Sequence, residues 1–247
     1  MLITTNGIVI RERSVGENDK FIDILTKDLG VIELSVKGVK KITGKNSSAA
    51  QLFAYSKLCL DKRGERYYLN SSEPIHIFYD LRLDVEKFAL ASYFCEVILG
   101  TVTSEQTANS VTRLFLNSLN FLTDGKYSND IIKSIFELRL ASEIGLMPDI
   151  AACNECCAYQ TDKMYFKIRK GKLFCEKCYN QAGDAVELSQ GLLHTIRYIC
   201  LSDFEKLWNF KVSENVEKRL SFITESYLLS HLDRDFKTLN FYKELKQ

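Results

Sequence analysis

The chain has 247 residues, 46% hydrophobic and 26% charged, with a formal net charge of +1. This is an ordinary globular balance, long enough for one large domain or two smaller ones with a small module. A charge so close to zero excludes nucleic-acid binding by global charge, so any such role must rest on a local field. The first residues, Met1-Leu2-Ile3-Thr4-Thr5, have no basic segment leading into an apolar one, and the apolar runs are broken well before a bilayer's length. Neither secretion nor a membrane span is expected, and a cytoplasmic protein with reduced thiols follows.

Residues 1 to about 80 read as short strands. Gly7–Arg11, Phe21–Leu25, Val31–Val36, Tyr55–Leu60 and Arg66–Leu69 are β-branched or apolar runs, punctuated by Gly16, Gly30, Gly38, Gly44 and Gly64. Five strands at near-regular spacing predict a small closed or partly closed barrel. Near Pro74 the texture changes, and from Asp84 to Gly145 the apolar period is helical. Phe88, Ala89, Tyr93, Val97 and Leu99 form one stripe; Val111, Leu114, Phe115, Leu119 and Leu122 a second; Ile131, Ile135, Leu138 and Ile144 a third. Helical texture returns from Ser189. Ser202-Asp203-Phe204-Glu205 has a capping-box pattern, and Ser213 is placed to cap a helix running to about His231. The expected fold class is α+β and multidomain: a barrel at 1–80, a helical domain at 81–149 and 183–247, and an inserted cysteine module at 150–182.

That module carries the sharpest chemical signal. Cys153, Cys156, Cys175 and Cys178 follow the spacing Cys-x2-Cys-x18-Cys-x2-Cys. Two close thiolate pairs can each grip two corners of a tetrahedral Zn2+ shell, and the spacing lies within the zinc window. Metal-free structural cysteines and a redox dithiol are the weaker alternatives. Between the pairs, Met164–Ile168 and Lys172–Phe174, joined by Arg169-Lys170-Gly171, predict a β-hairpin of the zinc-ribbon kind. A site with four protein ligands leaves no position for water, so the metal is expected to be structural, about one per chain. Cys59, Cys95, Cys157 and Cys200 read as small apolar fillers.

From Val36 to Arg66 eight basic residues face only Asp61 and Glu65, a local charge of +6. A basic field on a small barrel suits a phosphate backbone, and Phe53, Tyr55, Tyr67 and Tyr68 are available as stacking platforms. The competing reading is a solvated lysine-rich loop with the aromatics in the core, Phe53 and Tyr55 sharing one strand face. Gly38–Asn46 resembles a phosphate-binding loop but has one residue too many between its glycines and Asn46 in place of the magnesium-binding hydroxyl. His76, His194 and His231 are far apart, and His194 on an apolar helix reads as partly buried. Nothing looks catalytic.

Three stretches carry a resemblance. They are Gly7-Ile8-Val9-Ile10-Arg11 followed by Gly16-Glu17-Asn18-Asp19; Leu29-Gly30 followed by Val36-Lys37-Gly38-Val39-Lys40-Lys41; and Phe136-Glu137-Leu138-Arg139-Leu140 followed by Gly145-Leu146-Met147-Pro148-Asp149, running into Cys153 and Cys156. Together they span nearly the whole chain, which resembles the bacterial RecO family of recombination mediators. The resemblance implies an OB-fold, then a helical domain with an inserted zinc module. It implies a non-enzymatic, nucleoid-associated protein that needs no nucleotide. Such a protein binds single- and double-stranded DNA and anneals complementary strands. It works with RecR, recognises the acidic C-terminal tail of single-stranded DNA-binding protein, and helps load RecA. The family's DNA-contacting positions map best onto Lys37, Lys40 and Lys41, the last two being lysines where the family has arginines; Arg11, Lys45, Lys62, Arg63 and Arg66 are added from charge. Lys133 and Arg139 are the candidates for holding the partner's acidic tail. The alternative function is a zinc-stabilised protein–protein adaptor with an incidental basic loop.

Overall fold

The computed structural model describes residues 1–15, 17, 19–37, 47–104, 108–180 and 185–246. The chain forms two compact units, Met1–Gly125 with Phe236–Gln247, and Lys126–Asp235.

The first unit is built on five strands, β1 (Leu2–Val15), β2 (Asp19–Thr26), β3 (Gly30–Val36), β4 (Ala54–Arg63) and β5 (Arg66–Ile77). They close into a barrel of order β1-β2-β3-β5-β4, the expected fold with longer strands. The side chains explain the closure. Along β3, Gly30, Ile32, Leu34 and Val36 are buried while the residues between them are more exposed, a period of two with one face inward. Val9, Ile22, Ile24, Leu58 and Leu60 meet them inside. Gly7 is required where β1 crosses this interior, because a Cβ there would sit 2.5 Å from Ile24 Cγ2. β3 and β5 pair in parallel, Leu34 with Tyr67 and Ser35 with Tyr68. Phe53 lies just before β4 in a left-handed conformation, φ 64°, and is fully buried with its ring 5.8 Å from Phe88. Phe53 and Tyr55 therefore share no strand face: Phe53 belongs to the core and Tyr55 is half-buried.

Helices α1 (Val85–Thr101), α2 (Asn109–Asp124) and, from the far end of the chain, α6 (Lys237–Leu245) complete this unit. Asp84 caps α1 by accepting from the backbone N–H of Glu86 at 3.0 Å and Lys87 at 3.1 Å. The helix is buried well beyond the expected stripe, with Leu90, Phe94, Cys95 and Ile98 also inside, because β1, α2 and α6 all pack on it. Thr238 at the start of α6 donates from both its N–H and its hydroxyl to Glu96 of α1, and the Phe236 ring packs edge-on against Tyr93.

The second unit holds α3 (Asn129–Glu143), α4 (Gln190–Leu201) and α5 (Glu214–Leu232), with β6 (Met164–Lys167), β7 (Lys172–Cys175) and β8 (Ala185–Leu188). Contacts thus divide the helices differently from sequence texture, which grouped them as one domain. α3 is central: Ile131 through Ala141 are all buried, between α4 and α5. β6 and β7 form the expected hairpin, and β8 adds a third strand in the order β7-β6-β8. No helix starts at Ser202. Ser202 is the C-cap of α4, Asp203 to Trp208 forms turns, and the carbonyl of Ser202 accepts from Arg139 at 2.8 Å. His194, read as partly buried, is exposed on α4. No helix of the described residues is long and apolar enough to cross a membrane.

Candidate functional site

On the barrel, one cleft of about 940 Å³ lies across β2 and β3 and reaches the β4–β5 turn. It is made by the parallel pairing of β3 with β5, and both Lys37, just past β3, and Arg66, at the start of β5, line it, with Glu33 level with Arg66 across the pairing. The Lys37 and Arg66 side chains are exposed. Tyr67 and Tyr68 line the same cleft, and the Tyr67 hydroxyl is buried with no hydrogen-bond partner among the described residues. Gly64, at φ 60°, makes the tight turn that brings Arg63 back opposite Arg66.

The other basic candidates are committed elsewhere. Arg11 lines the cleft but its Nε lies 2.5 Å from buried Asp23. Arg13 bonds both Asp23 and Glu33. Arg63 is paired with Asp61 at 2.7 Å, holding that carboxyl below its ordinary range, and its guanidinium lies 5.3 Å from the Tyr68 ring. Lys62 is half-buried, its ammonium 5.2 Å from the Tyr67 ring centre. Lys40, Lys41 and Lys45, with the Gly38–Asn46 segment, lie outside the described residues.

In the second unit, the sulfur atoms of Cys153, Cys156, Cys175 and Cys178 all lie within 4.8 Å of one another. Two backbone knuckles bring them together. In the first, the N–H of Cys157 donates to the carbonyl of Cys153 at 2.9 Å, with Cys157 left-handed at φ 58°. In the second, the N–H groups of Cys178 and Tyr179 donate to the carbonyl of Cys175. The four thiols share protons unequally. Burial raises Cys153, but amide N–H groups of Cys156, Cys175 and Glu155 aimed at its sulfur outweigh this and bring it down to about 6. Hydrogen bonds with Cys156 and Cys175 hold Cys178 up at about 12. One thiolate forms readily and the last with difficulty, as expected for four sulfurs that crowd negative charge unless a cation joins them. The residues fit a metal ion: four soft donors, no competing carboxylate among the clustered ligands, and amide N–H support. Bound there by all four sulfurs, a metal would cross-link the two knuckles.

What fixes this cluster to the helices was not legible as a motif. Arg197 of α4 is buried and donates to three carbonyls of the incoming loop, those of Ile150 at 2.8 Å, Ala151 at 3.0 Å and Tyr159 at 2.6 Å, while its guanidinium stacks 4.1 Å from the Tyr159 ring. The only sequence sign was a lone arginine inside the apolar face Leu193, Ile196, Cys200. Asp149 ties the loop to the hairpin, its N–H donating to the Gly171 carbonyl at 2.7 Å and its carboxylate accepting from Asn154 at 2.6 Å.

Lys133 and Arg139 are not placed to hold an acidic tail. Lys133 is 2% exposed, with Glu225 at 2.9 Å and Glu137 at 3.1 Å. Arg139 is 9% exposed, pairs with Glu143 and donates to the carbonyls of Ile199, Cys200 and Ser202 at the end of α4. Both face inward because α3 is packed on several sides, which a count of charges along the helix does not reveal. A groove of about 660 Å³ in the same unit is lined by Tyr127, Trp208 and Phe210, with Lys126, Lys211 and Glu217 around it, the Glu217 carboxylate accepting from Ser128.

A closed β1-β2-β3-β5-β4 barrel with a cleft lined by tyrosines, by Arg11, Lys37 and Arg66 and by the carboxylates of Asp23, Glu33 and Glu65, accompanied by a helical unit carrying a four-cysteine knuckle, defines an oligonucleotide-binding-type barrel protein with a metal-binding module. The family model described as "Recombination protein O N terminal" matches residues 1–78, and "Recombination protein O C terminal" matches residues 82–240. The chain is 33% identical to a DNA repair protein RecO of Acetivibrio thermocellus, covering 98% of this chain and 97% of that one. It is 29% identical to a DNA repair protein RecO of Alkaliphilus metalliredigens, over 99% of this chain and 100% of that one. The chain belongs to the RecO family, and its role lies in DNA repair and recombination.

Proposed function

We propose that this protein is a non-enzymatic mediator that binds single- and double-stranded DNA on its barrel and anneals complementary strands. With RecR it helps load RecA onto strands covered by single-stranded DNA-binding protein. The observation that carries this reading is the barrel cleft: Lys37 and Arg66, exposed and far apart in sequence, flank it together with Tyr68. Cations beside an aromatic ring suit a strand whose phosphates are neutralised while its bases stack. The metal is zinc, held by Cys153, Cys156, Cys175 and Cys178 as a structural staple. The acidic tail of single-stranded DNA-binding protein docks in the groove of Tyr127, Trp208 and Phe210, where Lys126 and Lys211 supply positive charge beside apolar surface.

An annealing assay with complementary oligonucleotides, with and without single-stranded DNA-binding protein and with no nucleotide added, tests the reading; no acceleration under either condition overturns it. Changing Lys37→Glu with Arg66→Glu is expected to weaken single-strand binding at least about tenfold and to lower the slope of log affinity against log salt by about 1.4, roughly 0.7 for each phosphate left unneutralised. A pure adaptor would bind its partners unchanged in that variant and show little annealing in any form.

A further inference from the structure

The second unit carries a basic surface that the barrel cleft does not account for. Between Lys163 and Lys177 six basic residues stand against one acid, Glu176, a denser positive charge than that of the barrel segment. Folding sorts this segment by face. Met164 and Phe166 are buried, with the Phe166 ring 5.9 Å from Tyr227 of α5, so Tyr165 and Lys167 take the opposite face of the sheet. Their cross-strand partners on that face are Phe174 and Lys172 on β7 and Glu187 and Ala185 on β8, with Lys167 and Phe174 buried and Lys172 and Glu187 exposed. Tyr179, from the second cysteine knuckle, lies flat on Tyr165, ring centres 4.2 Å apart and planes within 12°. The Lys167 ammonium sits 5.1 Å from the Phe174 ring and 5.7 Å from Tyr179, with Asn180 accepting from it at 2.8 Å. Around this aromatic centre Lys163, Lys170, Lys172 and Lys177 are exposed, with no ion pair among the described residues.

The charge of Lys167 and Lys172 is not explained by the thiolates, although Lys163 and Lys177 lie beside the cysteines. Four thiolates around a divalent cation leave a net charge of about −2, but Lys167 and Lys172 pair three positions along the hairpin from Met164 and Cys175. At about 3.3 Å per residue that is roughly 10 Å, the length over which salt screens exposed charges. Tyr165 and Lys167 also point away from the face that Met164 and Phe166 bury.

We propose that the outer face of this three-stranded sheet, Tyr165 and Tyr179 with Lys170 and Lys172, is a second contact surface for single-stranded DNA. Bases extend the tyrosine stack and the lysines neutralise the backbone. The inference rests on the DNA-binding reading above, and assigns the cysteine module a binding role besides its stapling one.

The test uses the full-length, metal-loaded protein and a fluorescent single-stranded oligonucleotide. Lys170→Glu with Lys172→Glu is expected to weaken binding about tenfold and to reduce the salt slope by about 1.4, with metal content and melting temperature unchanged. Tyr179→Leu is expected to weaken single-strand binding about tenfold while leaving double-strand binding alone, because paired bases hide their faces. If the charge reversal disturbs metal content, Lys170→Gln with Lys172→Gln decides by the same readout. Wild-type affinity and slope in the hairpin variants, with binding weakened in Lys37→Glu/Arg66→Glu, would sink this inference and leave the barrel reading standing. A wild-type protein that does not bind DNA would sink both. Hairpin variants that fail to bind an acidic peptide yet bind DNA normally would make the face a protein site and overturn the proposal.

Discussion

Lys133 shows what a single residue can conceal. Burial alone would push its ammonium toward the neutral form, but Glu137 and Glu225 outweigh that and raise it above its ordinary value. Glu137, itself fully buried, takes a further hydrogen bond from the Thr224 hydroxyl at 2.7 Å. Removing one partner of a buried pair leaves an uncompensated charge, so Lys133→Met is expected to cost about 3–5 kcal/mol in denaturant unfolding. Lys133→Met with Glu137→Gln should recover part of that cost; no recovery in the double variant would place the damage in packing instead. The i, i+4 spacing of Lys133 and Glu137 was visible in the sequence, but ordinarily marks a solvated helix face. Their burial comes from α4 and α5 packing around α3, which no local pattern encodes. Lys37 and Arg66 show the converse. Their charge was legible, while their meeting in one cleft depends on a parallel strand pairing more than thirty residues apart in sequence.

Among the elements, the five barrel strands and the three long helices were readable from their apolar runs and stripes, although α1 and α3 are buried well beyond the stripes that marked them. The short ones were not. β8 has four residues and owes its existence to pairing with β6, Met164 against Leu188 and Lys167 against Ala185. The Ser202–Glu205 capping pattern formed no helix, since the carbonyls at the end of α4 are taken up by Arg139. The hairpin and its cysteines were legible from spacing because the metal-ligand geometry is local. Chelation is expected to lower the melting temperature of the second unit first. Acidity acts with a definite sign. Ligands must lose protons to bind metal, so affinity falls as pH falls. Below about 6, where Cys153 in the metal-free quartet also takes up its proton, the plot of log affinity against pH should steepen by about one proton. A competitive chelator titration at several pH values checks this, and a slope unchanged through that range would mean that Cys153 does not take up its proton there.

For the whole molecule, the division into units matters more than the order of parts. The family match divides the chain near residue 80, whereas the contacts place α1, α2 and α6 with the barrel. Phe236, Leu239 and Tyr242 are each about 1% exposed at the chain's far end, buried in the unit that Met1 begins. Phe236→Ala is expected to destabilise that unit by about 3–5 kcal/mol. Hydrogen exchange read separately in each unit checks it: protection should fall in α1 and stay level in α3, and an equal fall in both would mean the two unfold together.

The same arrangement has a consequence for synthesis. As the chain leaves the ribosome the barrel strands emerge first, but the helix that covers α1 emerges only after residues 126–235 have been made. Until then Tyr93 lacks Phe236 and Glu96 lacks Thr238. A nascent or prematurely terminated product therefore displays an apolar helix face to chaperones and proteases, and the last described helix acts as the latch that distinguishes a finished molecule from a fragment.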